Sequence, residues 1–192
     1  ANRIFGAKTN SIPMIDISNE DYGLIYRLAE NGNPPKLTIN TQSKFNGTTK
    51  TYNTIAEIKG KEKPNEYVIL SAHIDSWDGS QGATDNGTGV ITVMEAARLL
   101  KKYYPNNKRT ILICLWGGEE QGLNGSRAFV EDHPEIIKNT QAMFNFDSGT
   151  GRIVRINGGG FEQSYDFLGR WLAEAPKYIT EHVKTEFPGS PS

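Results

Sequence analysis

One histidine and four acidic residues stand where strands of a sheet should end. His73 follows one apolar segment, the pair Glu119 and Glu120 follows a second, and Asp147 follows a third, while Asp85 lies in a glycine-rich loop. Imidazole and carboxylate groups are common ligands of divalent metals. Open α/β sheets bind ligands at the carboxyl ends of their strands. The pattern therefore predicts a metal site of the kind that metal-dependent hydrolases use.

The first motif is His73-Ile74-Asp75. On an extended segment, residues i and i+2 point to the same side. Asp75 can therefore orient the imidazole of a metal-bound His73 and fix its tautomer through its carboxylate. The alternative is an ordinary strand-to-loop junction with no ligand role.

Asp85 belongs to a loop that contains four glycines between positions 79 and 89. Its carboxylate has two oxygens, and two-metal sites hold their ions about 3.5–4 Å apart, a span that one carboxylate can bridge. The alternative is a helix N-cap, because the loop precedes a predicted helix.

Glu119 and Glu120 are adjacent, and they follow two glycines at the end of an apolar strand. Two neighbouring carboxylates repel each other unless a cation or a proton separates them. Adjacent side chains also point in different directions, so one can bind metal while the other acts as a general base. The alternative is a solvated acidic helix start.

Asp147 is predicted to be a further ligand, with a turn-forming aspartate as the alternative. The other two histidines, His133 and His182, lie in a predicted loop and a predicted strand. We expect neither of them to bind metal.

The composition narrows the class of protein. The 192 residues carry 21 basic and 22 acidic side chains, for a net charge of −1. The sequence has no marked basic run, so we expect no nucleic-acid partner, and it has no apolar segment long enough for a membrane span. Cys114 is the single cysteine, which excludes an internal disulfide, and its apolar surroundings predict a small buried side chain rather than a reactive thiol.

The elements that position these residues follow from hydrophobic periodicity. Strands and helices alternate from residue 67 onward, which predicts an α/β fold with a mostly parallel central sheet flanked by helices on both faces. Ser18 is a predicted N-cap, and the helix after residue 126 is predicted to break near His133-Pro134. The predicted strands are 12–17, 37–40, 52–58, 67–71, 110–116, 141–147, 152–157 and 181–187, and the predicted helices are 20–31, 89–104, 126–138 and 161–175.

The whole motif set resembles the co-catalytic di-zinc exopeptidases, the family of bacterial leucyl aminopeptidase and plasma glutamate carboxypeptidase. The resemblance rests on the order and spacing of the motifs, with steps of 12, 35 and 27 residues between positions 73, 85, 120 and 147. It covers roughly residues 51–147. Within the family, the segment 73–83 is closest to plasma glutamate carboxypeptidase.

The resemblance implies a role for each motif residue. His73 and Asp147 would bind one zinc ion, Glu120 the other, and Asp85 both. Glu119 would be the general base, with Asp75 supporting His73. The complete family site holds two zinc ions and a distal histidine that has no counterpart here, since His182 comes too early, so one zinc ion or none is expected in this chain.

The resemblance also implies a domain organisation and a setting. Residues 1–48 resemble the tail of a protease-associated domain, and residues 49–192 an exopeptidase catalytic domain that is incomplete at its C-terminal end. We therefore expect a chain truncated at both ends. The family implies a peptide substrate, a secreted or periplasmic location, and an arrangement that allows a homodimer. Three alternatives remain open at this stage: a non-catalytic protein of the same fold, a single-zinc acyltransferase of the glutaminyl cyclase type, and a binding module.

Overall fold

A four-stranded sheet forms the centre of the chain. The computed structural model describes residues 15–42, 44 and 47–186. The strands run in the order β1-β3-β2-β4 across the sheet. Their bounds are β1 Thr54–Ile58, β2 Lys63–His73, β3 Arg109–Trp116 and β4 Thr140–Asn145.

The three parallel strands end at the same edge of this sheet. β2 pairs in parallel with β3 and with β4, whereas β1 pairs antiparallel with β3. The last residues of β2 and β3, His73 and Trp116, are register partners, and Ser71 of β2 pairs with Asn145 at the end of β4. Every loop that follows a parallel strand therefore starts from one rim.

The helices and a small second sheet complete the described fold. A two-stranded parallel sheet is formed by β5 and β6. None of the helices in the described part of the chain is long and apolar enough to cross a bilayer. The remaining bounds are α1 Asn19–Glu30, α2 Thr88–Tyr103, α3 Asn124–Asp132, α4 Pro134–Lys138, β5 Arg155–Asn157, α5 Ser164–Glu174, α6 Lys177–Thr180 and β6 Lys184–Glu186.

The central sheet is covered on both faces. On one face, Val93 of α2 packs in a cluster with Ile111 and Ile113 of β3. On the other face, Phe129 of α3 packs with Leu112 and other side chains of β3. Successive residues of a strand point to opposite faces, so a strand covered on both sides must be apolar throughout. This is why residues 111–116 of β3 form an uninterrupted apolar run.

The predicted fold class is confirmed, as are the helix break at His133-Pro134 and the Ser18 cap, whose hydroxyl accepts a hydrogen bond from the Asp21 amide. The strand predicted at 141–147 is present as β4, Thr140–Asn145. β4 lies at the edge of the described sheet, and its side chains are mostly exposed.

Two further strand predictions fail within the described residues. Residues 15–17 and 37–40 are not in strands, and Leu37 and Ile39 are exposed. Alternation along a segment creates a strand only where a neighbouring strand completes its hydrogen bonds, and local sequence does not supply that partner. Residues 12–14 and 187, predicted as strand, lie outside the described residues, as do two residues at the predicted domain boundary, which stays a prediction.

Candidate metal centre

The end of one strand and three loops bring the predicted ligands together at the carboxyl edge of the sheet. His73 is the last residue of β2, and Asp85 lies in a kinked turn, Ala83–Gly87, that leads into α2. Glu119 and Glu120 occupy the loop between β3 and α3, and Asp147 follows β4. These five residues are called the ligand cluster below.

The imidazole of His73 stands at the middle of the ligand cluster. Its Nε2 lies 2.9 Å from Oδ1 of Asp85, 3.2 Å from Oδ1 of Asp147 and 3.9 Å from Oε2 of Glu119. The His73 side chain is only 2% exposed, whereas that of Asp85 is 67% exposed. The cluster therefore has a buried floor and an open, acidic side.

Two groups of three side chains have ligand atoms close enough to share a metal ion. His73, Asp85 and Glu120 form one group, and His73, Glu119 and Asp147 form the other. Each residue offers one ligand atom, and the ligand atoms of a group all lie within 4.8 Å of one another. The structure thus brings together every predicted ligand and the predicted base. His133 and His182 belong to neither group among the described residues.

The same geometry tests the alternative roles of these motifs, which are a helix N-cap for Asp85 and an acidic helix start for Glu119 and Glu120. Gly87, not Asp85, is the N-cap residue of α2, and the Gly89 amide donates to the side chain of Asn86. Glu119 and Glu120 precede the first residue of α3 by four positions or more. Neither acidic motif acts as the helix start that the alternatives required.

Asp75 makes contacts that differ from those expected. Nδ1 of His73 lies 3.0 Å from the backbone oxygen of Asp75, and 3.7 Å from its carboxylate. The carboxylate instead accepts hydrogen bonds from the amides of Glu119 and Glu120, at 3.0 and 3.2 Å. Asp75 thus contacts His73 through its backbone oxygen, and it contacts the loop of Glu119 and Glu120 through its carboxylate.

Asn86 connects two of the ligand-bearing loops and is 2% exposed. Its amide group donates to the backbone oxygen of Phe146 at 2.8 Å and accepts from the amide of Gly89 at 3.1 Å. A Cβ atom at Gly89 would overlap both the Asn86 side chain and the Phe146 carbonyl, so this close approach requires glycine. The contacts hold the residue after Asp85 against the residue before Asp147.

Asn53 holds the loop between β3 and α3, and it was not among the residues predicted from the sequence. Its side chain donates to the backbone oxygen of Gly125 at 2.9 Å and accepts from the amide of Gly117 at 3.1 Å. These partners lie 72 and 64 positions away along the chain, so no local pattern marks Asn53 as part of the site. Asn86 carries a weak signal, because it follows Asp85 directly.

The electrostatics of the ligand cluster favour a cation. Burial raises the pKa of Glu119 and of Glu120, and the neighbouring aspartates raise both further, against an opposing effect of His73. Burial lowers the pKa of His73, but Asp147, Glu119, Asp85 and the backbone contact to Asp75 outweigh it, so the net shift is upward. In the metal-free cluster, protons are thus held more tightly than usual.

This donor set fits a divalent metal ion. The ligand cluster holds four carboxylates and one imidazole, and no lysine or arginine side chain pairs with them in the described part of the chain. A divalent cation would offset the repulsion among the carboxylates, and nitrogen and oxygen donors are ligands that zinc accepts.

A cavity of about 120 Å³ opens beside the ligand cluster. A cavity of similar volume, about 150 Å³, admits a small organic group such as benzene. The walls of the cavity in this chain contain apolar, polar and acidic side chains. It is lined by His73, Trp116, Glu119, Leu123, Ser126, Met143, Asn145 and Asp147.

Comparison with known proteins adds a family match. Residues 53–186 match the model of peptidase family M28. Carboxypeptidase Q of Xenopus laevis is 37% identical over 139 residues, which cover 72% of this chain and 30% of that protein. The chain therefore spans about a third of the length of such relatives.

Two solved structures share the fold. A peptidase M28 precursor from Shewanella amazonensis superposes with a TM-score of 0.72 at 27% identity, over 90% of this chain and 39% of that one. A zinc aminopeptidase from Bacillus subtilis superposes with a TM-score of 0.57 at 30% identity, over 69% of this chain and 34% of that one.

Proposed function

Because the chain belongs to peptidase family M28, we propose that the protein is a zinc-dependent exopeptidase that hydrolyses terminal peptide bonds. The observation that carries this proposal is the ligand cluster. One buried imidazole meets carboxylate oxygens from three different loops at the rim where α/β folds bind ligands. The similarity to a zinc aminopeptidase supports zinc as the metal.

The proposed assignment separates metal ligands from the base. His73 and Asp147 would hold one zinc ion, Glu120 would hold a second, and Asp85 would contribute to both. This assignment agrees with the position of Asp85, whose Oδ1 is close to the imidazole while its side chain remains largely exposed. Glu119 is left as the proton carrier.

Zinc bound here would lower the pKa of a coordinated water and polarise the scissile carbonyl group. Glu119 takes the proton from the attacking water and passes it to the nitrogen of the leaving amine. Burial raises the pKa of Glu119, which suits a group that must both accept and release a proton near neutral pH.

A matched pair of variants tests the assignment, because Glu119→Gln and Glu120→Gln make the same chemical change at adjacent positions. We expect Glu119→Gln to keep its bound zinc and lose hydrolysis, and Glu120→Gln to lose zinc. Zinc content is measured by elemental analysis after dialysis, and hydrolysis is assayed with the whole protein. Equal loss of zinc in both variants, or hydrolysis retained by Glu119→Gln, would show that the two roles are assigned wrongly.

The number of zinc ions is a separate measurement on this chain. Among the residues that the structure describes, the proposed second ion has only Asp85 and Glu120 as ligands, so we expect at most one tightly held equivalent. Two tightly held equivalents would contradict that expectation. Isothermal titration of the metal-free chain with zinc gives the stoichiometry directly.

The end of the substrate that is recognised can be tested with blocked dipeptides. An aminopeptidase loses activity when the substrate is N-acetylated, whereas a carboxypeptidase loses activity when the C-terminus is amidated. Cyclisation of an N-terminal glutamine without hydrolysis would identify an acyltransferase instead. Detection of the processed protein outside the cytoplasm, by fractionation of the source cells, would support the proposed secreted or periplasmic location.

A further inference from the structure

Asp75 lies between the imidazole of His73 and the loop that carries Glu119 and Glu120. Its backbone oxygen faces Nδ1 of His73 at 3.0 Å. Its Oδ1 accepts the Glu119 amide at 3.0 Å, and its Oδ2 accepts the Glu120 amide at 3.2 Å. Both carboxylate oxygens are thus engaged by successive backbone N–H groups, and the nearest approach of the carboxylate to the imidazole is 3.7 Å.

From this geometry we infer that Asp75 is a positioning residue for Glu119 and Glu120, which it holds through their backbone amides rather than by orienting the imidazole with its carboxylate. The catalytic meaning of this inference rests on the proposed function, but the contact itself does not. Asp75 acts on the proposed base and on a proposed ligand without touching the substrate.

One carboxylate that accepts from two successive amides restrains the backbone more than two separate acceptors would. The two N–H groups belong to the successive planar peptide units 118–119 and 119–120, which meet at the Cα atom of Glu119, so fixing both restrains the backbone torsions of Glu119. Those torsions set the direction in which the Glu119 side chain leaves the backbone relative to that of Glu120. Hydrogen bonds to a charged acceptor are about twice as strong as neutral ones, which makes the carboxylate better suited than an amide to this task.

Side-chain electrostatics alone do not explain the placement of Asp75. Its negative charge raises the pKa of Glu119 and of Glu120, so it disfavours the ionised forms of both neighbours. A carboxylate in this position is therefore unfavourable to the glutamate side chains and favourable to their amides. The Asp75 side chain is 21% exposed, which leaves its hydrogen bonds partly shielded from competing water.

The same residue also connects the loop to the imidazole. Because the backbone oxygen of Asp75 faces Nδ1 of His73, the end of β2 carries the imidazole contact and the loop contact on one residue. The two groups are chemically independent, however. Replacing the side chain leaves the backbone oxygen in place, so a variant can remove the loop contact and keep the imidazole contact.

The first test needs no variant and uses the metal-free chain. In NMR spectra we expect scalar couplings across the hydrogen bonds from the amide nitrogens of Glu119 and Glu120 to the side-chain carboxyl carbon of Asp75. We also expect slow hydrogen exchange at both amides. Fast exchange at both amides together with absent couplings would overturn the inference, whatever the enzyme does.

The second test compares Asp75→Asn with Asp78→Asn, a matched change at an exposed aspartate three residues further on. In Asp75→Asn one oxygen becomes an NH₂ group that cannot accept from an amide. We expect hydrogen exchange at the two glutamate amides to accelerate by roughly tenfold to a hundredfold, with the ¹⁵N signals of the His73 ring unchanged. Asp78→Asn should change neither.

The opposite pattern would support a conventional imidazole-orienting role and reject ours: shifted His73 ring signals with unchanged exchange at Glu119 and Glu120. Protection of the Ile113 amide in β3 reports whether the variant is folded. If Asp75→Asn unfolds, the couplings in the unaltered chain still decide. Failure of the hydrolysis assays would count against the proposed function and leave these backbone measurements untouched.

Discussion

Asn86→Ala is the substitution that best tests how the ligand cluster is held together. Asn86 is 2% exposed, and its side chain joins the Phe146 carbonyl to the Gly89 amide. Alanine removes both hydrogen bonds and leaves the partly buried Phe146 carbonyl and the buried Gly89 amide without these partners. We therefore expect a loss of folding stability and a weaker metal site in the same variant.

The magnitude follows from the two groups that lose their partner. An unsatisfied buried donor or acceptor costs about 1–3 kcal/mol, which for two groups gives about 2–6 kcal/mol. Water that enters the space left by the side chain reduces the cost, so we expect a value near the lower half of that range. Total stabilities of single domains are about 5–15 kcal/mol, so the effect should be large.

The metal effect has a different origin. Asp85 directly precedes Asn86 and Asp147 directly follows Phe146, so losing the hydrogen bond from Asn86 to Phe146 lets the two ligand-bearing loops move apart. Loss of a residue that orients metal ligands typically weakens metal binding by about 10–100-fold. Zinc affinity is measured by competition with a chromophoric chelator, and stability by urea unfolding of the metal-free chain followed by circular dichroism.

Asn106→Ala is the matched control, because Asn106 is an exposed residue of the turn between α2 and β3. It should change neither the free energy of unfolding nor the zinc affinity by a measurable amount. A loss below about 0.5 kcal/mol in Asn86→Ala, the usual range for surface substitutions, would refute the claim that this side chain holds the two loops.

Three further predictions concern the charge and the core. The folded, metal-free chain holds protons on three side chains of the ligand cluster more tightly than the unfolded chain, because their pKa values are raised. The free energy of unfolding of the metal-free chain should therefore fall as pH rises from about 4.5, the ordinary glutamate pKa, through neutrality. Saturating zinc should reverse that trend. Urea midpoints that stay constant across this pH range would contradict the electrostatic argument. Burial raises the pKa of the Cys114 thiol to about 12, so thiol reagents at pH 8 should modify the folded chain only as fast as it opens, and rapid labelling without denaturant would disprove the burial. Phe129→Ala should lower the free energy of unfolding by about 3–5 kcal/mol, because Phe129 is 4% exposed in the core. Val130→Ala, at a 51% exposed position of the same helix, is the control. Equal losses of stability in the two variants would argue against the packing of Phe129.

Some features of the fold could be read from residues close together in the chain. β3 was predictable because a strand covered on both faces is apolar along its buried length, and Ile111 to Trp116 are all apolar and buried. The break between α3 and α4 was predictable from Pro134, which cannot continue a helix. The segment 37–40 had a comparable local signal and no strand, because a strand also needs a partner that its own sequence does not specify.

The ligand cluster divides in the same way. The sequence by itself predicted which side chains form the ligand cluster, since His73, Asp85, Glu119, Glu120 and Asp147 each follow a recognisable local pattern. Only the tertiary structure decided what holds them, because Asn53 and the carboxylate of Asp75 contact backbone groups more than 40 positions away. Strand order and register bring such groups together, and a hydrogen bond to a backbone amide or carbonyl does not depend on the type of the partner's side chain. It therefore leaves no motif in the sequence.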